Sequence, residues 1–323
     1  MLRGVGYALV AGLFWGLVFV APVVLPGYPP AVLSVGRYVA FGLIALVLAI
    51  PDRRALRALE RADWVEATWL SLIGNLVYYG FLAAAIQVAG GPVPTMIIGT
   101  LPVVIAVCSN LSGRELPWRS LAGSLAVIGA GVALVDRDEL ARLAAQGEPA
   151  SRLWLGAFLA LGAVACWTWY PIRNARWLQR HPRIGSGTWA TVQGLTTLPL
   201  ALAGGGLLVA WSALAAADTP GAAAGAGFAP EAFLGPTPVR FVALMFGIGL
   251  GASWLGTLCW NRASQLLPTS IAGQLIVFET LAALLYAFLL RGEVPDRGTL
   301  AGIALLIVGV VLGIRALPAR PGG

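Results

Sequence analysis

Residues 4–36 read GVGYALVAGLFWGLVFVAPVVLPGYPPAVLSVG, with no formal charge between Arg3 and Arg37. A helix that crosses a hydrocarbon core about 30 Å thick needs roughly 20 mostly apolar residues. This run is too long for one crossing, and it carries its own turn at Leu25-Pro26-Gly27-Tyr28-Pro29-Pro30. It reads as two spans joined by a tight connection. The construction recurs between Glu66 and Arg114, where an uncharged run is divided by Gly90-Gly91-Pro92-Val93-Pro94. Between Arg183 and Asp218 nothing is charged either. The chain is built for a bilayer, and its function belongs there.

Composition excludes the alternatives. Hydrophobic residues make up 59% and charged residues 11%, with a mean hydropathy of +0.83, too little charge to clothe a soluble domain of 323 residues. The net charge of +7 would suit a nucleic-acid partner, but in a chain this apolar it reads as loop charge beside an anionic membrane, with no nucleic acid involved. Cys108, Cys166 and Cys259 all fall in apolar runs and read as small buried hydrophobes, neither disulfides nor metal ligands. Only Arg3 precedes the first run, and no small-residue cleavage site follows it, so an uncleaved first helix is expected.

Ten spans are expected, over 5–24, 30–50, 64–88, 92–112, 117–135, 153–178, 185–210, 238–264, 269–290 and 297–315. Arginine sets their direction. With the N-terminus inside, Arg3, Arg53, Arg54, Arg57, Arg61, Arg114, Arg119, Arg173, Arg176, Arg180, Arg183, Arg262, Arg315 and Arg320 face the cytoplasm. Arg137, Arg142, Arg152, Arg240, Arg291 and Arg297 face outward, and Arg37 lies within a span. The positive-inside rule then places both termini in the cytoplasm. Residues 136–152 and the Ala/Gly/Pro-rich 212–236 are expected as external loops.

The two halves echo one another. Ala85-Ile86-Gln87 returns as Ala263-Ser264-Gln265, and Glu115-Leu116-Pro117 as Glu293-Val294-Pro295. Leu121-Ala122-Gly123 returns as Leu300-Ala301-Gly302, one residue out of step, and Trp15 corresponds to Trp167. Several short matches in one order suggest duplication. Five spans per unit is odd, so the second copy must enter the membrane inverted, an architecture of secondary transporters with the site at the repeat interface. The fold expected is an all-α polytopic membrane protein of ten transmembrane helices. It divides into a first five-helix repeat over 1–135, a connecting loop over 136–152 and a second repeat over 153–323.

Leu13-Phe14-Trp15-Gly16 in the first span, Arg37 in the second and the paired Glu-x-Pro turns before spans five and ten resemble the drug/metabolite transporter superfamily, in particular the EamA-type exporters. The load of intramembrane aromatics resembles the aromatic amino-acid exporter branch. The resemblance implies export. It also places spans one, three, six and eight around a cavity, and makes Glu115 and Glu293 recurring loop acids, read here as structural because each precedes a Pro-started helix.

Twelve Trp and seven Tyr divide by depth. Trp64, Trp118, Trp154, Trp177 and Trp211 fall near span ends and read as an interfacial belt. Trp15, Tyr78, Tyr79, Trp167, Trp169, Tyr170 and Trp254 lie on the order of 12–16 Å deep at about 1.5 Å per residue. Their N–H and O–H groups find no partner in lipid, so they should face the bundle interior, as cavity wall or as packing. Trp15, Tyr78, Trp167 and Trp254 are expected to converge. Asn75 shares a face with Tyr79, and Ser253, Thr257, Trp260 and Asn261 form a second polar stripe. Interhelical hydrogen bonding and solute binding both account for these. With the deep rings, Asn75 and Trp260 complete the candidate substrate site.

Arg37 and Glu279 are charges inside spans, costly and therefore functional candidates. Glu279 would take a proton or a substrate ammonium and Arg37 a substrate carboxylate; each would otherwise pair within the protein or, for Arg37, snorkel. Pro102 and Pro171 are candidate hinges. Gly12-x-x-x-Gly16, Gly247-x-x-x-Gly251 and Gly309-x-x-x-Gly313 permit close helix approach, and a homodimer is compatible with them without being implied. No nucleotide-binding loop, catalytic constellation or metal-ligand spacing is legible, which argues against an enzyme and against a cofactor. The expectation is a bacterial inner-membrane exporter of a small-molecule substrate, most readily aromatic or neutral amino acids. The alternative is efflux of lipophilic cations.

Overall fold

The computed structural model describes residues 2–89, 92–113, 116–137, 149–218, 234–292 and 294–315. Glu115 and Glu293 lie outside them, as do 138–148 and 219–233 of the two expected loops. Among the described residues all regular structure is helical. In chain order the segments are α1 (Leu2–Val24), α2 (Pro30–Arg57), α3 (Arg61–Ala89), α4 (Pro92–Gly99 with Leu101–Gly113), α5 (Trp118–Val135), α6 (Ala150–Arg180), α7 (Ser186–Asp218), α8 (Pro238–Leu266), α9 (Thr269–Leu290) and α10 (Arg297–Arg315).

Eight of these are long and apolar enough to cross a membrane, and α4 makes a ninth if its two parts, bent by 42°, count as one span. The apolar part of α5, Leu121–Val135, is shorter. Helix α7 runs through Ser212 to Asp218, where a loop is expected from 212, because the stretch is dominated by alanine, the strongest helix former.

The segments pack in pairs, α1 on α8, α2 on α7, α3 on α6, α4 on α9 and α5 on α10, with further contacts of α1 on α9 and α4 on α6. Small residues bring several of these pairs close. A Cβ on Gly12 would stand 3.0 Å from the Glu279 nitrogen, and one on Gly16 2.7 Å from the Ala282 Cβ, so α1 and α9 nearly touch backbones. Gly309 and Gly313 serve α10 in the same way against Ile128 of α5 and Gln274 of α9. Two of the three glycine pairs are therefore consumed inside the chain.

The helices are not uniformly wound. Leu72–Val77 in α3 and Gly249–Leu255 in α8 are π-helical, and α1 tightens to a 3₁₀ turn at Leu17–Phe19. Such widened turns recur at functional places because they re-aim the side chains that follow. Helix α9 is interrupted at Ile276, between Thr269–Leu275 and Val277–Arg291, and α4 at Thr100. Pro102 stands two residues beyond the bend of α4. Pro171, the other candidate hinge, lies inside an unbroken α6, where the discontinuity falls on its neighbours α3 and α4 instead.

Candidate functional site

Four helices contribute to one chain of rings. Trp15 of α1 meets Trp260 of α8 at 5.2 Å between centroids and Trp167 of α6 edge-on at 5.4 Å. Trp167 in turn meets Tyr78 of α3 at 6.0 Å and Tyr170 of its own helix at 5.8 Å. These separations suit tilted and edge-to-face aromatic pairs. Gly256 makes room for the cluster: a Cβ there would lie 2.8 Å from Trp15 Nε1. Trp260 is buried, and its indole N–H has no hydrogen-bond partner among the described residues.

Trp254 stands elsewhere. Its indole donates to Thr191 Oγ1 at 3.1 Å, and its ring packs with Tyr38, Phe41 and Ala201 between α2 and α7. Six residues separate it from Trp260, which turns it onto another face of α8 at 3.6 residues per turn, and the π-helical stretch widens the turn further. Trp260 occupies the place expected of Trp254. Trp169 packs against the group containing Leu70, Leu178 and Trp189. The Tyr79 hydroxyl is buried without a hydrogen-bond partner. Asn75 donates to Thr197 Oγ1 at 3.2 Å and so joins α3 to α7. Of the expected belt, Trp118 and Trp154 are exposed, while Trp64 and Trp177 are partly buried and Trp177 stacks on His181 at 4.1 Å.

A second constellation is polar and closed. Asn174 of α6 is its hub: its Oδ1 accepts from Trp189 Nε1 at 2.8 Å and Gln193 Nε2 at 3.0 Å, and its Nδ2 donates to Asn261 Oδ1 at 3.0 Å. Tyr170 donates its O–H to Gln193 Oε1 at 2.9 Å, which links the network to the ring cluster. At the same arginine-rich end of the bundle, Arg173 grips Glu66 with two bonds of 2.6 and 2.8 Å. Arg183 reaches both Glu60 and Asp63 at 3.0 Å. Asn174, Trp189 and Gln193 escape a search for mid-depth polar groups because they lie near helix ends, where polar residues are ordinary. Their signal was in Gln193, an amide within an uncharged run.

The two intramembrane charges behave differently. Arg37 places its guanidinium carbon 4.4 Å over the ring of Tyr38, and its Nε is buried with no hydrogen-bond partner. Glu279 opens the second half of α9, at the positive end of Val277–Arg291. Its backbone N–H bonds to Ile276 O at 2.9 Å, but among the described residues its carboxylate has neither a hydrogen bond nor an ion pair. No three of the described His, Cys, Asp and Glu side chains converge as metal ligands.

Comparison with known proteins gives consistent results. The model of the EamA-like transporter family matches residues 2–135. Inner membrane protein YtfF of Escherichia coli (strain K12) is 50% identical, over 99% of this chain and 98% of its own length. A solved crystal structure superposes with a TM-score of 0.68 over 98% of each chain at 16% identity, a likeness of fold.

Proposed function

The chain belongs to the EamA-like transporter family, and from that premise we propose that it is an inner-membrane secondary transporter that exports small amphipathic metabolites, foremost aromatic and other neutral amino acids. The observation that carries this reading is the ring chain Trp260–Trp15–Trp167–Tyr78, drawn from four helices of both halves. Aromatic faces suit the apolar end of such a solute. Unpartnered buried donors, the Trp260 N–H and Tyr79 O–H, suit its polar end.

The architecture that goes with it is ten spans in two inverted five-helix repeats, over 1–135 and 153–323. The packing pattern supports this. Exchanging each segment for the one five places away maps α2–α7, α4–α9 and α5–α10 onto themselves. It interchanges α1–α8 with α3–α6, and α1–α9 with α4–α6. A pseudo-two-fold axis produces that pattern. The π-helical stretches recur in the corresponding segments α3 and α8, and the breaks recur in α4 and α9. Discontinuous helices near midplane are a common way to build a transport site.

Alternating access follows from the same frame. The closed polar network and the ion pairs of Arg173 and Arg183 seal the arginine-rich end, taken as cytoplasmic with both termini. Opening toward that side would part α6 and α7 from α3 and α8. The lipophilic-cation reading draws on Glu279, an acid available at mid-depth.

Counterflow in proteoliposomes with a panel of labelled amino acids tests the substrate class. Uptake of aromatic and neutral amino acids is expected, and inertness toward all of them with transport of a lipophilic cation would replace this reading. For the orientation, cysteine at Ala58 should be protected from an impermeant reagent in intact cells while one at Ala222 is labelled.

A further inference from the structure

We propose that the turn between α1 and α2 and the turn between α6 and α7 are a pair of latches for alternating access, fastened by Tyr28 at one end of the bundle and by Arg183 at the other. The inference rests on the transport reading above and names the contacts that must part for each side to open.

The two turns share one backbone design. Leu25-Pro26-Gly27-Tyr28-Pro29 leads into α2 at Pro30, and His181-Pro182-Arg183-Ile184-Gly185 leads into α7 at Ser186. Leu25 has φ −126° and ψ 61°, and His181 has φ −121° and ψ 65°. The Tyr28 N–H then donates to Leu25 O at 3.2 Å, as the Ile184 N–H does to His181 O at 3.0 Å. Tyr28 and Ile184 hold the same place in the turn, and both are buried. The turns nevertheless stand at opposite ends of α2. The first feeds its start at Pro30, and the second meets Glu60 and Asp63, just past its end at Arg57. That unbroken helix of 28 residues is about 42 Å long at 1.5 Å per residue.

Each turn grips the start of another segment. Tyr28 stacks on Phe241 of α8 at 4.9 Å, donates its O–H to Leu234 O at 2.7 Å and accepts from the Thr237 N–H at 3.0 Å. Gly235, with φ +59°, shapes the seat, because a Cβ there would collide with Tyr28 Cε1. At the other end Arg183 holds Glu60 and Asp63 at the start of α3, both at 3.0 Å, and Arg173 backs it by holding Glu66. Exchanging segments five places apart carries the first grip onto the second: the α1–α2 turn on α8 becomes the α6–α7 turn on α3. Only the chemistry differs, neutral and aromatic at one end, ionic at the other. Each gripped helix carries a π-helical stretch further along, Gly249–Leu255 in α8 and Leu72–Val77 in α3. Helices bend readily at such stretches, so each gripped end has its own hinge. Both grips are made in this structure, as an occluded intermediate requires.

Met245 and Ala67 serve as reporters, since they lie just inside the two grips and are buried in the same clusters as Tyr28 and Ile184 respectively. The test uses full-length protein in nanodiscs, where a water-soluble maleimide reaches both faces, with labelling at Met245→Cys or Ala67→Cys read by mass spectrometry. Both should label slowly in the parent. Tyr28→Ala should speed labelling of Met245→Cys at least ~10-fold and leave Ala67→Cys slow, and Arg183→Gln should do the reverse. Tyr28→Phe keeps the stack and loses the hydrogen bonds, so it should give a smaller gain at Met245→Cys even if Tyr28→Ala fails to fold. With both reporters present in Tyr28→Ala, a maleimide seated first at Met245→Cys should wedge that end open and slow Ala67→Cys below its rate in the parent. Gains at both reporters in each variant, gains at neither, or indifference of Ala67→Cys to the wedge overturn the paired latches. Counterflow that persists in the parent while the labelling fails leaves the transport reading standing without them. A parent that carries no solute at all removes both.

Discussion

The hydrogen-bonded hub around Asn174 and the ring cluster around Trp15 and Trp167 lie next to each other in the bundle, joined through Tyr170, yet they are built on opposite terms. Around Asn174 the amides of Gln193 and Asn261 and the indole of Trp189 are matched within the protein, and the neighbouring carboxylates of Glu66 and Asp63 hold arginines. Around Trp15 the contacts are ring on ring, and the buried Trp260 indole N–H has no hydrogen-bond partner among the described residues. Burying a polar group without a partner is expensive, and it occurs on both sides, at Asp63 Oδ1 and Trp177 Nε1 beside the hub as at the Trp260 indole; what differs is that side-chain hydrogen bonds hold the hub and ring contacts hold the cluster. The first region holds helices together. The second packs aromatic faces from four helices against one another, and under the proposed function those faces meet the solute.

The comparison is most exposed at its hub. Asn174→Leu strands Trp189, Gln193 and Asn261 at once. Interhelical hydrogen bonds in membranes average about 0.6 kcal/mol and reach about 1.7, so the three together should lower stability by about 2 kcal/mol. Thermal unfolding in detergent measures this. Unchanged stability with altered substrate choice would move the hub into the binding site and erase the distinction.

The ring cluster should respond in selectivity. Trp15→Ala and Trp167→Ala should reduce the preference for phenylalanine over threonine by about 0.5–1.5 kcal/mol beyond the lost contact area. Taking the ratio of the two substrates in one preparation cancels losses of folded protein. Equal losses for both substrates would reduce these rings to packing.

Asp296 offers an acid whose closest partners lie at the start of its own helix, with Arg137 farther off at 4.0 Å. It accepts from the backbone of Gly298 at 2.7 Å and of Thr299 at 3.2 Å, where α10 begins. The Thr299 hydroxyl, foremost, and these N–H groups hold its carboxyl below the usual carboxylate range. A lowered pKa in the folded state stabilises above the ordinary value, and the benefit is lost as pH falls through the lowered one. Melting curves of the parent and Asp296→Asn should therefore differ at neutral pH and converge in acid, with transport selectivity untouched. A gap that persists in acid would show that the carboxylate's charge is not what matters.

The smallest effect is expected at Trp154, which is 76% exposed. Trp154→Phe should change stability by less than about 0.5 kcal/mol. A change in substrate preference there would extend the site far beyond the ring cluster.

Much of this was legible in the chain itself. Charge-free runs punctuated by Pro and Gly dictate apolar helices and their turns, because a bilayer forces every backbone group to be satisfied within its own segment. Depth along a span, at a fixed rise per residue, was enough to pick out Trp15, Tyr78 and Trp167, which the fold brings into ring contact. What depth along a helix does not contain is rotation about it. The π-helical turn at Gly249–Leu255 and its packing against α2 and α7 decided that Trp260 faces Trp15 while Trp254 faces Thr191. Partners distant in sequence are likewise invisible until helices meet: Asn174 with Asn261 and Asn75 with Thr197 depend on which faces the fold brings together. The sequence determined that this chain is built of apolar spans and how deep its aromatic and polar groups lie in them. Helix rotation and pairing, which are set by packing, decided which of those groups satisfy one another and which stay open.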